Sequence, residues 1–302
     1  MKQNVNNVVL ITGASTGIGN LSARAMAAAG HTVYATMRDV EGRNAIRAKE
    51  LHDYAADHGF QLKALELDVL SQESADQAVQ TIVSEQGRLD VVVHNAGHLV
   101  VGVTEAFTPE EIVKVLDTNV LGTQRVNRAA LPQMRAQQAG LLLWISSTTV
   151  RGGFPPFLGP YVAAKAAMDS LAQTIAYEVA RFGIETSFVV PGAFTKGTAH
   201  FPSAGHPADE QVTNAYARIN HLLEEVGDRL SALTPEEADP QAVADEIARI
   251  VSLPLGTRPA RSVIDYVGDG AAEVTELSEK VRIEFVQRLG LGDLLVPQAF
   301  NN

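Results

Sequence analysis

Residues 8–19 read Val8-Val9-Leu10-Ile11-Thr12-Gly13-Ala14-Ser15-Thr16-Gly17-Ile18-Gly19, an apolar run followed by a turn with three glycines. Small residues with helical spacing follow, up to about Ala29. The stretch predicts a strand, a glycine turn and a helix start. Glycine suits a backbone that turns at positive φ or approaches a ligand closely, and a helix N-terminus offers free N–H groups to a pyrophosphate. A dinucleotide site is therefore predicted, and a tight glycine turn without a ligand is the alternative.

Further apolar, β-branched runs alternate with stretches of helical periodicity along the chain. Including the run quoted above, these segments are Val8–Thr12, Thr32–Thr36, Leu62–Leu67, Val91–His94, Leu141–Ile145, Thr186–Val190 and Ser262–Val267. This alternation predicts an α/β fold, a Rossmann-like, doubly wound parallel sheet of about seven strands in a single domain over residues 1–302. Thr108-Pro109-Glu110-Glu111 is typical of a helix start, and Gly140 is predicted to close that helix.

Composition narrows the possible partners. The formal charge of −11 would repel nucleic acid and anionic membrane surfaces, so small molecules are the expected partners. The absence of cysteine excludes disulfides and thiolate chemistry, and the histidines lack metal-ligand spacing, so no metal is expected. Met1–Val5 shows no signal-peptide pattern and no run approaches ~18 apolar residues, which predicts a cytoplasmic protein.

Tyr161 and Lys165 lie four residues apart at the head of a helix predicted to run to about Phe182. At this spacing both side chains share one helix face. An ammonium beside a phenol favours the phenolate, which predicts a pKa for Tyr161 lowered from ~10 toward neutrality. Such a tyrosine can donate or accept a proton, although a single pair at this spacing also arises by chance.

Several further motifs occur with this pair in one order. They are Thr12-Gly-x-x-x-Gly-x-Gly19, Asn95-Ala96-Gly97, Asn119, Ser147, Tyr161-x-x-x-Lys165 and Pro191-Gly192. Over about residues 5 to 270 the chain resembles the common-length branch of the short-chain dehydrogenase/reductase family. The resemblance implies an enzyme that interconverts a carbonyl and an alcohol by hydride transfer with NADP(H) or NAD(H).

The resemblance also implies four catalytic residues. Tyr161 would be the general acid in reduction and the general base in oxidation, and Lys165 would lower its pKa and bind the nicotinamide ribose. Ser147 would orient the carbonyl oxygen, and it is favoured over Ser146 because it lies 14 residues before Tyr161. Asn119 would hold a water that links Lys165 to solvent.

The cofactor-binding residues implied by the resemblance are Gly13, Ser15, Thr16, Gly17, Ile18, Gly19, Arg38, Asp68, Val69, Asn95, Ala96, Gly97, Tyr161, Lys165, Pro191, Gly192 and Thr195. Asp68 would accept from the adenine amino group, or would instead cap a turn. Thr195 and Thr198 are both candidates for the contact with the nicotinamide carboxamide.

The end of the second predicted strand bears on the choice of cofactor. NAD binding requires a carboxylate for the ribose 2′-OH, whereas a 2′-phosphate requires a guanidinium. Thr36 is taken as the position where NAD-type members carry Asp, and Arg38 follows it, so NADP is favoured and NAD remains possible. Thr16 stands where many NADP-type relatives have a basic residue, and Asp39 could pair with Arg38 instead.

A substrate lid is predicted over residues 194–230, as a mobile loop followed by one amphipathic helix, Ala208–Val226. Val150, Phe154, Phe157 and Leu158 favour an apolar carbonyl substrate, unless they only pack the lid, and Arg151 keeps an acidic one open. Residues 271–302 are read as a helix, Ala271–Leu289, and an apolar tail that covers the sheet edge or another subunit. A homodimer or homotetramer is expected.

Two other classes of protein are considered. A redox sensor would bind NADP without a proton donor, which the full set of Ser147, Tyr161 and Lys165 disfavours. A nucleotide-sugar epimerase or dehydratase of the extended branch also has Tyr-x-x-x-Lys, but with a different glycine spacing and a larger substrate domain. A ketoreductase that acts on a carrier protein is disfavoured by the charge of −11.

Overall fold

A computed structural model describes residues 6–297 of the chain. Seven strands form one sheet in the order β3-β2-β1-β4-β5-β6-β7, and every neighbouring pair is parallel. The strands are β1 Val8–Ile11, β2 Thr32–Met37, β3 Leu62–Glu66, β4 Val91–His94, β5 Gly140–Ile145, β6 Ile184–Pro191 and β7 Arg261–Ile264. The α/β, Rossmann-like fold is confirmed, because each predicted strand is present with ends shifted by at most a few residues.

Helices cover both faces of the sheet. They are α1 Gly17–Ala28, α2 Ala45–His58, α3 Gln72–Gln86, α4 Pro109–Leu116, α5 Gly122–Gln137, α6 Gly159–Ala180, α7 Glu210–Ala215, α8 Asn220–Leu233, α9 Gln241–Ser252 and α10 Ala271–Arg288. One core cluster joins α1, α2 and α9 to the sheet, and the other joins α3, α5 and α6. Strands buried on both faces account for the continuous apolar runs in the sequence.

The helix predicted to run from Pro109 to Gly140 is interrupted in its middle. It starts at the expected capping box, where Thr108 and Glu111 bond each other's backbone N–H. Between α4 and α5 lies a π-helical turn, Asp117–Leu121, which widens the helix where Asn119 is placed. Gln138, in the left-handed conformation at φ 53°, ends the helix, and Gly140 begins β5 instead.

The expected single lid helix, Ala208–Val226, is wrong. The segment forms two helices, α7 and α8, separated by a turn at residues 216–219. The loop before them is fixed to the segment after β4: the Gly205 N–H donates to Leu99 O (2.9 Å), and the Val101 N–H donates to Gly205 O (2.8 Å). This docking buries a third apolar cluster, which includes Phe107, Leu158 and Tyr161.

The C-terminal helix α10 follows β7 as expected. The turn after it, Gly292–Leu295, lies against α6, where Arg181 and Asp293 form an ion pair of 2.7 Å. Met1–Val5 and residues 298–302, on which the leader and tail expectations partly rest, lie outside the described residues. Within residues 6–297, no helix combines the length and apolar character that a membrane span requires.

Candidate active site

A cavity of about 1200 Å³ opens at the carboxyl edge of the sheet. The strand order reverses there, since β1 has β2 on one side and β4 on the other. Loops that follow parallel strands meet at this edge, and ligands of open α/β sheets bind at such a reversal. All the predicted cofactor-binding residues except Thr195 line the cavity, together with Ser147.

The glycine turn has the shape of an anion cradle. A Cβ on Gly13 would lie 2.8 Å from Ala96 Cα, and one on Gly19 would lie 2.4 Å from Gly13 O, so packing requires both glycines. Gly17 differs: its φ is +56°, and a Cβ there would meet only Thr198, at 3.8 Å. Gly17 is also the first residue of α1, whose N-terminal N–H groups therefore face open cavity. This space and these donors fit a pyrophosphate.

The Asn95 side chain holds this turn in place. Its Nδ2 donates to Thr12 O (2.8 Å) and to Gly13 O (3.0 Å). The Thr12 hydroxyl accepts from the backbone N–H groups of Asn95 and Ala96, each at 3.0 Å. The ends of β1 and β4 are thereby fixed to each other, so a ligand would meet a preformed cradle.

Three side chains with proton-transfer or hydrogen-bonding chemistry meet deeper in the cavity. Ser147 follows β5, and Tyr161 and Lys165 lie one turn apart on α6. The Ser147 hydroxyl accepts from the Thr149 hydroxyl at 2.9 Å and lies close enough to Tyr161 to lower the pKa of its phenol, and the Lys165 ammonium lies 6.0 Å from the centre of the Tyr161 ring. The Lys165 Nζ donates to Ile145 O at 2.9 Å, which fixes the amine against the end of β5.

Ser146 takes part in a different set of hydrogen bonds from Ser147. Its hydroxyl donates to Asp169 Oδ2 at 2.7 Å, in a buried group that also contains Arg151 and Arg261. Burial alone would raise the pKa of Asp169, but the bonds from Arg261 hold it below its usual value. Both serines line the cavity, but the hydroxyl of Ser146 is part of a buried ionic network.

The pKa of Tyr161 differs from the expectation. Burial raises the pKa of Tyr161 to about 12, and the bond to Ser147 acts in the opposite direction. Burial also lowers the pKa of Lys165 to about 8, although the Asp169 carboxylate favours its charged form. Desolvation is the largest cause of the shift in both groups, because both are removed from water. The expected lowering of the Tyr161 pKa is wrong for this arrangement.

Asn119 lies in the π-helical turn, buried beside the cavity floor. Its Nδ2 donates to His98 O (3.0 Å) and Val115 O (2.9 Å), and its Oδ1 accepts from the His98 N–H (3.2 Å). A Cβ on Gly97 would come within 2.8 Å of Asn119 Oδ1 and 3.8 Å of Lys165 Nζ. Asn119 thus holds the backbone after Gly97 and places an amide oxygen near Lys165.

The structure corrects the residue that discriminates between cofactors. Thr36 is fully buried, and its hydroxyl donates to Ile11 O at 2.9 Å, inside the sheet. Met37 and Arg38 line the cavity instead, with Arg43 and Asn44 beside them. Successive side chains of a strand point to opposite faces, so an assignment that is off by one residue names a side chain on the wrong face of the sheet.

Asp39 and Asp68 can be assigned from their hydrogen bonds. The Asp39 carboxylate accepts from the Arg43 N–H at 2.9 Å, and within residues 6–297 no ion pair joins it to Arg38. Asp68 lines the cavity and also accepts from the Leu70 N–H at 3.0 Å. Asp68 therefore both caps this turn and lines the cavity.

Thr195 does not line the cavity. Its hydroxyl bonds the Ser231 hydroxyl on α8 at 3.3 Å. Thr198 lies at the cavity wall next to Gly17, and Pro191 and Gly192 line the cavity as expected. Thr198 is therefore the threonine that faces this space.

Two histidines in the cavity wall were missed by the sequence reasoning. His98 follows Gly97 directly, and burial together with the charge of Arg38 lowers its pKa. His200 lies in the lid loop, where its ring packs edge-on against Tyr161, 5.7 Å between ring centres. No spacing pattern marks either residue, and only the adjacency of His98 to Asn95-Ala96-Gly97 could have indicated its place.

The substrate end of the cavity is mostly apolar. Of the predicted apolar residues, Phe154 and Leu158 line it, joined by Phe201, Leu222, Val226 and Leu230, whereas Val150 and Phe157 do not. Arg151 does not line it either, since its guanidinium pairs with Asp169 at 3.0 Å. Within residues 6–297, no cluster of three His, Asp or Glu side chains has the arrangement of a metal site.

Comparison with known proteins identifies the family. The model of the short chain dehydrogenase family matches residues 7–205. The chain belongs to the short-chain dehydrogenase family. This makes it an oxidoreductase that acts on alcohols or carbonyl compounds.

Individual short-chain dehydrogenases extend the match over most of the chain. Estradiol 17-beta-dehydrogenase 1 of Rattus norvegicus is 34% identical over 299 residues, 97% of this chain and 84% of that protein. A 3-ketodihydrosphingosine reductase of Bacteroides thetaiotaomicron is 35% identical over 190 residues, 63% of this chain and 65% of that protein.

Two solved structures agree with the fold. A short-chain dehydrogenase from Streptomyces avermitilis has a TM-score of 0.71 and 31% identity and covers 95% of this chain and 98% of its own. A variant of actinorhodin polyketide ketoreductase solved with NADPH has a TM-score of 0.68 and 27% identity and covers 90% and 99%.

Proposed function

We propose that the protein is an NADP(H)-dependent enzyme that interconverts an apolar ketone or aldehyde and the corresponding alcohol. The observation that carries this proposal is the meeting of Ser147, Tyr161 and Lys165 in the same cavity as the glycine cradle. The cavity is large enough for a dinucleotide and a small substrate side by side. When bound, the cofactor would supply or accept a hydride at its nicotinamide ring.

The residues around the cavity fit the phosphorylated cofactor. The N-terminus of α1 and the glycine turn would hold the pyrophosphate, and Lys165 would bond the nicotinamide ribose. At the other end, Arg38 and Arg43 offer guanidinium groups to a 2′-phosphate, and Met37 presents no carboxylate that would repel it. The similarity to a ketoreductase solved with NADPH supports NADP(H), and NAD(H) stays possible.

Proton transfer would use the phenol of Tyr161. A pKa of about 12 keeps this phenol protonated at neutral pH, so that it has a proton to donate in carbonyl reduction. Ser147 would donate to the substrate oxygen and hold it near the phenol. The ammonium of Lys165 would stabilise the phenolate after transfer, and Asn119 would orient a water that returns the proton.

The apolar substrate class follows from the cavity wall and the docked lid. Phe154, Leu158, Phe201 and Leu222 offer contacts without charge. The rat and bacterial relatives are named for estradiol and 3-ketodihydrosphingosine, which are both largely apolar molecules. The lid, fixed through Gly205, would exclude water from the reacting atoms.

The test is Tyr161→Phe, which removes one hydroxyl. Turnover should fall by the ~10²–10⁴-fold that a general acid contributes, and the Kd for NADPH should stay close to that of the wild type. Tyr54→Phe, on α2 away from the cavity, is the matched control and should leave turnover unchanged. A Tyr161→Phe variant that keeps more than about a hundredth of the wild-type kcat would contradict the proposed role.

The substrate class would be measured with a panel of ketones, aldehydes and secondary alcohols. Activity with NADPH on apolar carbonyl compounds is the expected result. Tight NADPH binding without turnover on any member of the panel would favour the redox-sensor alternative.

A further inference from the structure

His200 lies beside the catalytic phenol on the wall of the cavity. The lid loop between β6 and α7 carries it there. Its ring centre is 5.7 Å from that of Tyr161, with an angle of 66° between the rings, and 6.1 Å from that of Phe201. The surface that the imidazole exposes is part of the cavity wall. A substrate oxygen bonded to Tyr161 would therefore have this ring as a near neighbour.

The imidazole is neutral and available for hydrogen bonding. Removal of the ring from bulk water, followed by the positive charges of Lys165 and His98, lowers the pKa of His200, although the residue stays exposed to the open cavity. A neutral imidazole has one N–H donor and one acceptor nitrogen. Within residues 6–297, neither ring nitrogen of His200 has a hydrogen-bond partner, whereas His206 in the same lid bonds Val101 O at 2.8 Å.

Two cationic groups near the substrate end have acidic partners. Arg229 pairs with Glu225 at 2.6 Å, and Arg151 pairs with the buried Asp169. Apolar side chains make up most of the remaining wall, including Phe201, Leu222 and Val226. An uncharged oxygen next to the reacting carbonyl would have the His200 ring within reach as a hydrogen-bond partner.

We propose that His200 recognises a second, uncharged oxygen of the substrate, carried one or two carbons from the reacting carbonyl. This inference rests on the proposed function and names the substrate class within it. The preferred substrates are apolar ketones with a neighbouring hydroxyl or carbonyl group. Tyr161 and Ser147 bond the reacting oxygen, and the His200 ring bonds the second oxygen. Because the two rings are in contact, only a short spacing between the oxygens allows both bonds at once.

The test compares a matched pair of substrates, propiophenone and its α-hydroxy derivative, with NADPH. The measured quantity is the ratio of their kcat/KM values. His200→Phe keeps a ring against Tyr161 but cannot form the hydrogen bond, so it should reduce the preference for the hydroxyketone by about tenfold, the size of one hydrogen bond. His200→Gln keeps a donor and an acceptor and should restore part of the preference.

His206→Phe is the control for displacement of the lid. It removes a lid anchor outside the catalytic contact and should lower both kcat/KM values by the same factor. If His200→Phe lowered kcat/KM by the same factor for both substrates, their ratio would stay unchanged. That result, in an enzyme that is still active, would overturn the role of His200. Failure of the proposed function would be seen differently, as no turnover on either ketone in the wild type.

Discussion

At the scale of single residues, Met37 and Arg38 allow a sharp test of cofactor choice. Arg38 can give a 2′-phosphate charge-assisted hydrogen bonds of ~1.5–3 kcal/mol, so we expect NADPH to be favoured over NADH by about 10- to 100-fold in KM. Arg38→Ala should remove most of this preference. Met37→Asp should reverse it, because a carboxylate repels the phosphate and accepts from the ribose of NADH.

The measurement is kcat/KM with both cofactors for each protein. Arg47→Ala is the matched control, since Arg47 lies on α2 in an exposed pair with Glu50. A wild type that prefers NADH, or an Arg38→Ala variant with unchanged preference, would exclude Arg38 from the site.

The pH dependence should differ between the two directions of the reaction. Lys165 loses its charge above its pKa of about 8, so kcat/KM for carbonyl reduction should be level below pH 8 and fall above it. Alcohol oxidation needs the Tyr161 proton removed, and a pKa of about 12 means that its rate should still climb through pH 10. Rate profiles in both directions test this, and an oxidation rate that levels off near neutrality would contradict it.

Residue positions were predictable where the sequence itself fixes them. The glycine turn and the Tyr161–Lys165 pair depend on neighbours within a few positions. The interpretation of Thr36 is wrong by one residue, because the sequence indicates the alternation of side chains along the strand but not which of them face the cavity. His200 and Thr198 depend on the path of an irregular loop, which no periodicity encodes.

At the scale of elements, sequence signals located helix starts better than helix interiors. The capping box at Thr108 is local and appears as expected. The π-helical turn at Asp117–Leu121 has no signal of its own, because it is stabilised by the bonds of Asn119 to other segments. The turn between α7 and α8 also has no sequence signal of its own, because apolar residues continue across it at helical spacing.

Two glycines allow a controlled test of the lid. A Cβ on Gly102 would lie 2.4 Å from Pro207 Cδ, so Gly102→Ala should push the lid away from its docking segment. Such overpacking costs about 1–3 kcal/mol, and we expect KM for the carbonyl substrate to rise by up to about a hundredfold, more than KM for NADPH.

Gly227→Ala is the matched control, since a Cβ there meets nothing within 4 Å. Gly227 lies inside α8, where alanine should raise stability by about 0.5–1 kcal/mol and leave KM unchanged. Equal KM values for Gly102→Ala and Gly227→Ala would show that the lid tolerates the added methyl group.

At the scale of the whole molecule, one buried ionic network joins α6, β7 and α10. Arg261 on β7 bonds both oxygens of Asp169 at 2.7 Å and bonds Glu279 of α10 at 3.2 Å. Arg261→Leu would leave the Asp169 carboxylate buried with a weaker set of partners, so the free energy of unfolding should fall by about 3–5 kcal/mol.

Urea unfolding measures the loss, with Arg249→Leu as the control. Arg249, which pairs with Glu246, is itself half exposed, and its removal should cost less than about 1 kcal/mol. Similar losses for the two variants would show that the buried network adds little stability. The expected homodimer or homotetramer stays a prediction, which sedimentation would measure.

The docking of Gly205 onto Leu99 and Val101 has a kinetic consequence. The docking residues continue directly from the backbone at residues 95–98 that lines the cofactor end of the cavity. We expect release of the alcohol to require this contact to open, and the dinucleotide would lie beneath it. Turnover should therefore follow a compulsory order, with the dinucleotide first on and last off. Product inhibition tests this: NADP⁺ should compete with NADPH, and the alcohol should be a mixed inhibitor against the ketone, whereas purely competitive inhibition by the alcohol would indicate random entry.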